Sequence, residues 1–340
     1  MFSRQEHDAV ERVMNRGILS GYKGAWCGEF YGGPEIRALE NEIGIKFGSA
    51  YNTAVNSATS GLWACLNAIG IKPGDEVIVT PWSMTCSASL PLLFGAVPVF
   101  ADIEPDFYCL DPKDVKLMIS SRTKAIIVVD LFGMPYAADE INDIAHSYGI
   151  PVIEDAAQAI GAKYRGNYTG TLADFGVYSF NVHKHIQAGE GGIVTTKTKE
   201  HDMRVKLSIN HAEAVTNGMP APENYLGLIG MNLRMTELCA AIIREQLKKL
   251  DAIIEQYQSY GEQFAIPVRP GCTSAFYKFA RRKVLTISGQ YADLFNFKNH
   301  YITPIYKMPE FQVRGYGGIS CPVCEEIEDD IILAWLKNPI

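Results

Sequence analysis

Three short segments carry side chains whose types and spacing could do chemistry. NSATSGL, 56 to 62, places small hydroxyl residues where a helix is expected to open. The first N–H groups of a helix have no partner within it, and with the helix dipole they suit a phosphate; Ser and Thr at that position also serve simply as caps. IEDAAQA, 153 to 159, puts Asp155 directly after an apolar run. A carboxylate is costly to bury unless it meets a cation or strong donors, so Asp155 reads either as a helix cap or as the partner of a bound cationic group. VYSFNVHKHIQAGEGG, 177 to 192, leads from a strand into a polar loop with Ser179, His183, Lys184 and His185, followed by glycines that permit tight turns and close backbone approach. A lysine on a loop is ordinarily a solvated cation. His183 and His185 have HxH spacing, but no third ligand stands at a readable distance in sequence, and no metal is expected.

These side chains act together only if the fold assembles them. From about residue 50 to 200 short apolar runs alternate with amphipathic segments. The clearest strands are EVIVT (76 to 80), VPVFADI (97 to 103), KAIIVVDLF (124 to 132), GIPVIEDA (149 to 156), DFGVYSF (174 to 180) and GGIVTT (191 to 196). Continuous Val and Ile runs mark strands buried on both faces of a mainly parallel sheet. Helices are expected at 60 to 71, 86 to 96 and 138 to 150, each closed near its end by Gly. The fold class is therefore α/β, with ligands at the carboxyl ends of the strands. A helical stretch from Met235 to about Tyr260 links the large part to a small α+β region, with a strand at RRKVLTI and a last helix at EIEDDIILAWLK. The expected division is a large domain at 1 to 250 and a small one at 251 to 340.

Composition excludes several classes. With 31 Lys plus Arg against 38 Asp plus Glu the net charge is -7, which offers no footprint for nucleic acid. At 47% hydrophobic and 20% charged residues the chain is neither disordered nor fibrous. No run approaches the length of a membrane span, and the start, MFSRQEHDAVERVM, carries charge where a secretory signal is apolar, so a cytoplasmic protein without membrane contact is expected. The eight cysteines then read mostly as free thiols. Cys321 and Cys324 in CPVC have the spacing of a redox or metal motif. A zinc site needs a second pair that does not follow, and a structural role is the expectation.

Joined at the strand ends of one sheet, a phosphate cradle, a buried acid and a lysine are the parts that hold pyridoxal phosphate. The sequence resembles the DegT, DnrJ and StrS family of sugar aminotransferases, within the fold type I (aspartate aminotransferase) superfamily. The resemblance runs from about Gly21 to Asp251, with GGPEIRALENEI, NSATSGL, GIKPGDEVIVTP, GAVPVFADIEPD, RTKAIIVVDLFGMP, PVIEDAAQAIGAKYRG, YSFNVHKHIQAGEGG and NLRMTELCAA in the family's order. Ordered motifs over that span are far more specific than any one of them. The ending CPVCEEIEDDIILAWLKNP resembles the family only loosely.

What the resemblance implies is specific. Lys184 is the catalytic residue and the covalent anchor of the cofactor, Asp155 pairs with the pyridinium nitrogen, and Gln158 packs near the ring and its hydroxyl. Ala58, Thr59 and Ser179 form the phosphate cradle, and Asn232 reaches the phosphate of a neighbouring subunit, so a homodimer with shared sites follows. Three positions depart from the pattern. Ala58 replaces a common Gly, Met84 stands where an aromatic ring usually stacks on the cofactor, with Trp82 as the alternative ring, and His185 replaces a common Asn.

The implied reaction is a ping-pong transfer of an amino group from glutamate, through the pyridoxamine form, to a nucleotide-linked 3- or 4-keto-(deoxy)hexose, in the making of amino sugars for surface polysaccharides or glycosylated products. Alternatives are the same chemistry on a cyclitol or small phosphorylated ketone, a pyridoxamine-dependent sugar dehydratase, or a catalytically silent regulatory protein. Dehydratase relatives carry histidine in place of the lysine, and Lys184 favours the aminotransferase. The resemblance also implies a chain some tens of residues longer, with the shortfall after the linker helix.

Overall fold

The computed structural model describes residues 2–264, 266–282, 294–299 and 301–336. Its strands run β1 (Tyr51–Val55), β2 (Glu76–Val79), β3 (Val97–Phe100), β4 (Thr123–Val129), β5 (Val152–Asp155), a hairpin of β6 (Lys163–Tyr164) and β7 (Asn167–Tyr168), then β8 (Phe175–Ser179) and β9 (Gly192–Thr196). The large sheet has seven strands in the order β1-β9-β8-β5-β4-β2-β3. Its pairs are parallel except those of β9, which runs against both β1 and β8. All the residues of β2, β5, β8 and β9 are buried, as strands covered on both faces require.

Helices α1 (Arg4–Arg16) and α2 (Pro34–Phe47) precede this sheet, and α3 (Ala58–Ile69), α4 (Cys86–Leu93), α5 (Pro112–Met118) and α6 (Ala138–Ser147) connect its strands. After it come α7 (Lys199–Ser208), α8 (Ala212–Thr216), α9 (Glu237–Leu247) and α10 (Leu250–Gln263). The single helix expected over 235 to 260 is thus two. The turn at Lys248 and Lys249 lets α9 lie along α1 and α2 while α10 carries Ile253, Ile254 and Tyr257 into a second apolar cluster with Phe279 and Phe295. Lys249 also reaches back to α1, where its ammonium binds Glu6.

After the short strand β10 (Cys272–Thr273), a small antiparallel sheet follows, made of β11 (Phe279–Arg282), β12 (Phe295–Lys298) and, between them, β13 (Ile331–Leu336). The expected strand at RRKVLTI is represented by Arg281 and Arg282; Lys283 onward lies outside the described residues. The expected last helix is corrected. After α11 (Pro309–Gln312), α12 (Pro322–Glu328) stops at the acidic run Glu328, Asp329, Asp330, and Ile331–Leu336 forms the central strand instead. Carboxylates at a helix C-terminus oppose its dipole, and β-branched Ile331 and Ile332 favour extended backbone. With β11 on one side and β12 on the other, that strand satisfies its backbone groups in both directions.

Candidate active site

The carboxyl ends of the inner strands β8 and β5 and the start of α3 meet at one end of the large sheet. Gly61 brings α3 against the sheet: a Cβ there would lie 2.9 Å from Val177 and 3.0 Å from Val194. At Gly192, the first residue of β9, a Cβ would lie 2.9 Å from the Ala58 nitrogen and the Ser57 carbonyl carbon. The opening turn of α3 is therefore seated on bare backbone. Ser57 caps it, its hydroxyl accepting from Ser60 N at 3.1 Å, while the first-turn N–H groups of Ala58 and Thr59 have no acceptor within the helix. Ser179 ends β8 and is buried, with its hydroxyl accepting from Asn181 N at 3.3 Å.

Asp155 ends β5 and is 4% exposed. Its Oδ1 accepts from Ala157 N at 3.1 Å. Burial raises its pKa, and the Lys184 charge partly offsets that. Burial likewise lowers the Lys184 ammonium, against the favourable fields of Asp155 and the Cys86 thiol. Among the described residues neither group has an ion-pair partner; Lys184 Nζ lies 4.5 Å from the centre of the Tyr277 ring. A desolvated amine with a depressed pKa is a nucleophile in waiting, and a buried acid facing it supplies the opposite charge.

Gln158 is buried, with Oε1 accepting from Phe132 N at 2.9 Å and Nε2 donating to the Tyr301 hydroxyl at 3.4 Å. Tyr277 and Tyr301 come from the C-terminal part and face the Lys184 cluster. Cys86, at the start of α4, is also there, hydrogen-bonded to Thr59. Sequence reasoning missed all three, since none sits in a readable motif. Met84 lies two residues before Cys86 and is 63% exposed. Trp82 is fully buried and unavailable for stacking: its indole N–H donates to Ile302 O at 2.6 Å and its ring meets Tyr108, Phe132 and Tyr301 edge-on. Asn232 is exposed, its side-chain oxygen accepting from Arg234 Nε at 2.8 Å, beside the backbone of Asn210.

The two histidines diverge. His183 is exposed, whereas His185 is buried, its Nε2 2.8 Å from Ala275 O and its ring edge-on to Tyr257 at 4.7 Å. Burial pushes the His185 pKa down to about 4, so the ring is neutral and donates through Nε2. His185 thereby ties the lysine loop to the C-terminal part, a physical account of an imidazole at this position.

The donor set fits pyridoxal phosphate. A helix start seated on glycine, flanked by hydroxyls, suits a phosphate; a buried acid suits a protonated pyridine; a desolvated lysine suits an aldehyde. Sheet order and site together define a fold type I pyridoxal-phosphate protein. The chain belongs to the DegT/DnrJ/EryC1/StrS aminotransferase family, whose model matches residues 23–266. It is similar to the L-glutamine:2-deoxy-scyllo-inosose aminotransferase of Streptomyces fradiae, 39% identical over 209 residues, 60% of this chain and 49% of that one. It is also similar to the GDP-perosamine synthase of Escherichia coli O157:H7, 28% identical over 327 residues and 88% of each chain. The X-ray structure of an aminotransferase from Psychrobacter cryohalolentis superposes with a TM-score of 0.84 at 27% identity, covering 100% of this chain and 93% of that one. The chain spans about half the length of the S. fradiae relative and most of the other two.

Proposed function

We propose that this chain is a pyridoxal-phosphate-dependent aminotransferase that moves an amino group from glutamate or glutamine to a keto-sugar, with a nucleotide-linked 3- or 4-keto-hexose as the leading acceptor. The observation that carries the reading is the half-buried, desolvated Lys184 whose charge acts on the buried Asp155 beside the α3 cradle. The cofactor, when bound, supplies the electron sink and carries the amino group between the two substrates. Lys184 would hold it covalently, and its amine would serve as the base and acid for the proton at the reacting carbon of the substrate. Asp155 holds a proton on the ring nitrogen. Ala58 and Thr59 offer backbone N–H groups, and Thr59 and Ser179 hydroxyls, to the phosphate. Gln158 and Met84 would line the place the ring takes. Exposed Asn232 completes a partner subunit's site, making the unit a homodimer.

A second acceptor class has its own support: the S. fradiae relative is named for 2-deoxy-scyllo-inosose, a cyclitol ketone. Purified protein incubated with glutamate or glutamine against a panel of nucleotide keto-sugars and this cyclitol, read by mass spectrometry, separates the two. Conversion of a sugar ketone to its amine supports the first reading, and conversion of the cyclitol alone replaces it with the second. A protein lacking an absorbance band near the visible edge that borohydride removes overturns both.

A further inference from the structure

Lys278 is a second half-buried lysine beside the first, and nothing in the proposed chemistry uses it. Its ammonium lies 5.1 Å from the centre of the Tyr277 ring, the same ring that Lys184 approaches at 4.5 Å. On another side it lies 4.3 Å from the Trp335 ring of β13. These aromatic faces stabilise a cation without neutralising it. The charges that reach Lys278 are those of Lys184 and Lys298, both of its own sign, and with burial as the leading cause they lower its pKa to about 8. Among the described residues no carboxylate pairs with Lys278, whereas Arg269, Lys307 and Arg282 of the same C-terminal part each hold a Glu. Lys298, on β12, donates to Tyr301 O at 3.2 Å, and the Tyr301 hydroxyl accepts from Gln158. Lys278, just before β11, thus stands beside the site that holds Lys184 and Asp155, with exposed Lys298 near enough for its charge to act on it.

A desolvated cation among cations is unfavourable until an anion arrives. We infer that Lys278, assisted by Lys298, is the anion-recognition point of the substrate site, its ammonium taking a carboxylate or phosphate oxygen of the molecule that reacts at Lys184. This rests on the aminotransferase reading. The anionic oxygen has two sources, the donor's α-carboxylate or the acceptor's diphosphate, and they are separable by experiment. Loss of a hydrogen bond to a charged group weakens binding by about 10- to 100-fold.

The test uses the cofactor-loaded protein and Lys278→Gln, Lys278→Arg and Lys278→Met, the last keeping the aliphatic stem against Trp335. In one arm, single-turnover absorbance follows glutamate and, in parallel, an amine without a carboxylate. In the other, a nucleoside diphosphate is titrated as a probe by calorimetry. A carboxylate site gives a 10- to 100-fold rise in the half-saturating glutamate concentration in Lys278→Gln and Lys278→Met, about the magnitude of one lost charged hydrogen bond. The rise is largely reversed in Lys278→Arg, and the carboxylate-free amine is unaffected. A phosphate site gives the same pattern in the calorimetric arm instead. Lys298→Gln weakens the same arm by a smaller factor and serves if the Lys278 variants do not fold. Unchanged binding in both arms, or equal losses for Gln and Arg, overturns the inference while the wild-type absorbance band still stands. Absence of that band in wild type is failure of the aminotransferase reading instead.

Discussion

Buried carboxyl groups at the ends of the neighbouring strands β4 and β5 of the large sheet are balanced in opposite ways. Asp155 on β5 faces the cation of Lys184. Asp130, which follows β4 and donates its backbone N–H to Asp155 O at 3.1 Å, faces another carboxylate, Glu154. Asp130 Oδ1 accepts from Tyr136 N at 2.9 Å, and Glu154 Oε2 accepts from Leu172 N at 2.9 Å. Among the described residues the remaining oxygens, Asp130 Oδ2 and Glu154 Oε1, have no donor. One of the two must carry a proton that both share, and burial together with the Glu154 charge holds Asp130 well above the ordinary aspartate value. Burial alone therefore does not mark a functional acid; the sign of the group opposite it does.

The largest expected effect comes from removing the cation. Lys184→Ala should abolish the borohydride-sensitive absorbance and lower turnover by about 10³-fold or more, measured with the acceptor found by the screen. Asp155→Asn should weaken cofactor retention on dialysis and lower turnover by about 10²-fold. Activity near wild type for this variant would reduce Asp155 to a helix cap.

The neighbouring pair should respond differently. Asp130→Asn keeps an acceptor for Tyr136 N–H and supplies an amide donor to Glu154, so the shared proton is no longer needed. A carboxyl whose pKa is raised in the folded state contributes stability that is complete below its unfolded value, ordinarily 3.8, and is lost as pH rises through the folded value. The wild type should accordingly lose stability relative to Asp130→Asn from about pH 4 upward, reaching about 1–3 kcal/mol by urea unfolding at alkaline pH. A difference independent of pH would mean that no proton is shared.

A fourth buried acid sets the lower limit. Asp102 accepts from Val323 N at 2.8 Å and Cys324 N at 3.0 Å, capping α12 from the large sheet's side. Asp102→Ala should cost about 1 kcal/mol of stability with cofactor absorbance unchanged. This cap also explains the CPVC pair: Cys321 and Cys324 are buried, and burial with nearby carboxylates raises both thiols. Neither should react with iodoacetamide in the native protein.

Strands β2, β4, β5, β8 and β9 were legible because continuous Val and Ile runs have few other uses in a chain of this composition. The strand-end positions of Asp155, Ser179 and the Lys184 loop followed from those runs. Strand β1, YNTAV, escaped notice because its polar residues interrupt the apolar signal; Thr53 is buried against Asp202 and Lys206 of α7, and the Asn52 side chain against Gly44 of α2, where it accepts from the Ser49 hydroxyl. The segment 331–336 was misread because IILAWL is compatible with helix or strand, and only β11 and β12 on either side decide between them.

Local residue order by itself determined the alternation of strands and helices, the motifs at the strand ends and the family they resemble, because backbone preference and burial pattern act over a few neighbours. Tertiary structure alone decided which side chains share a charge. It sealed Trp82 in the core, turned His185 into a tether, set Asp130 against Glu154, and brought Tyr277, Lys278 and Tyr301 from the far end of the chain to Lys184. Electrostatic and ring contacts depend on distance in space, and residues about a hundred positions apart in sequence carry no local signal of it.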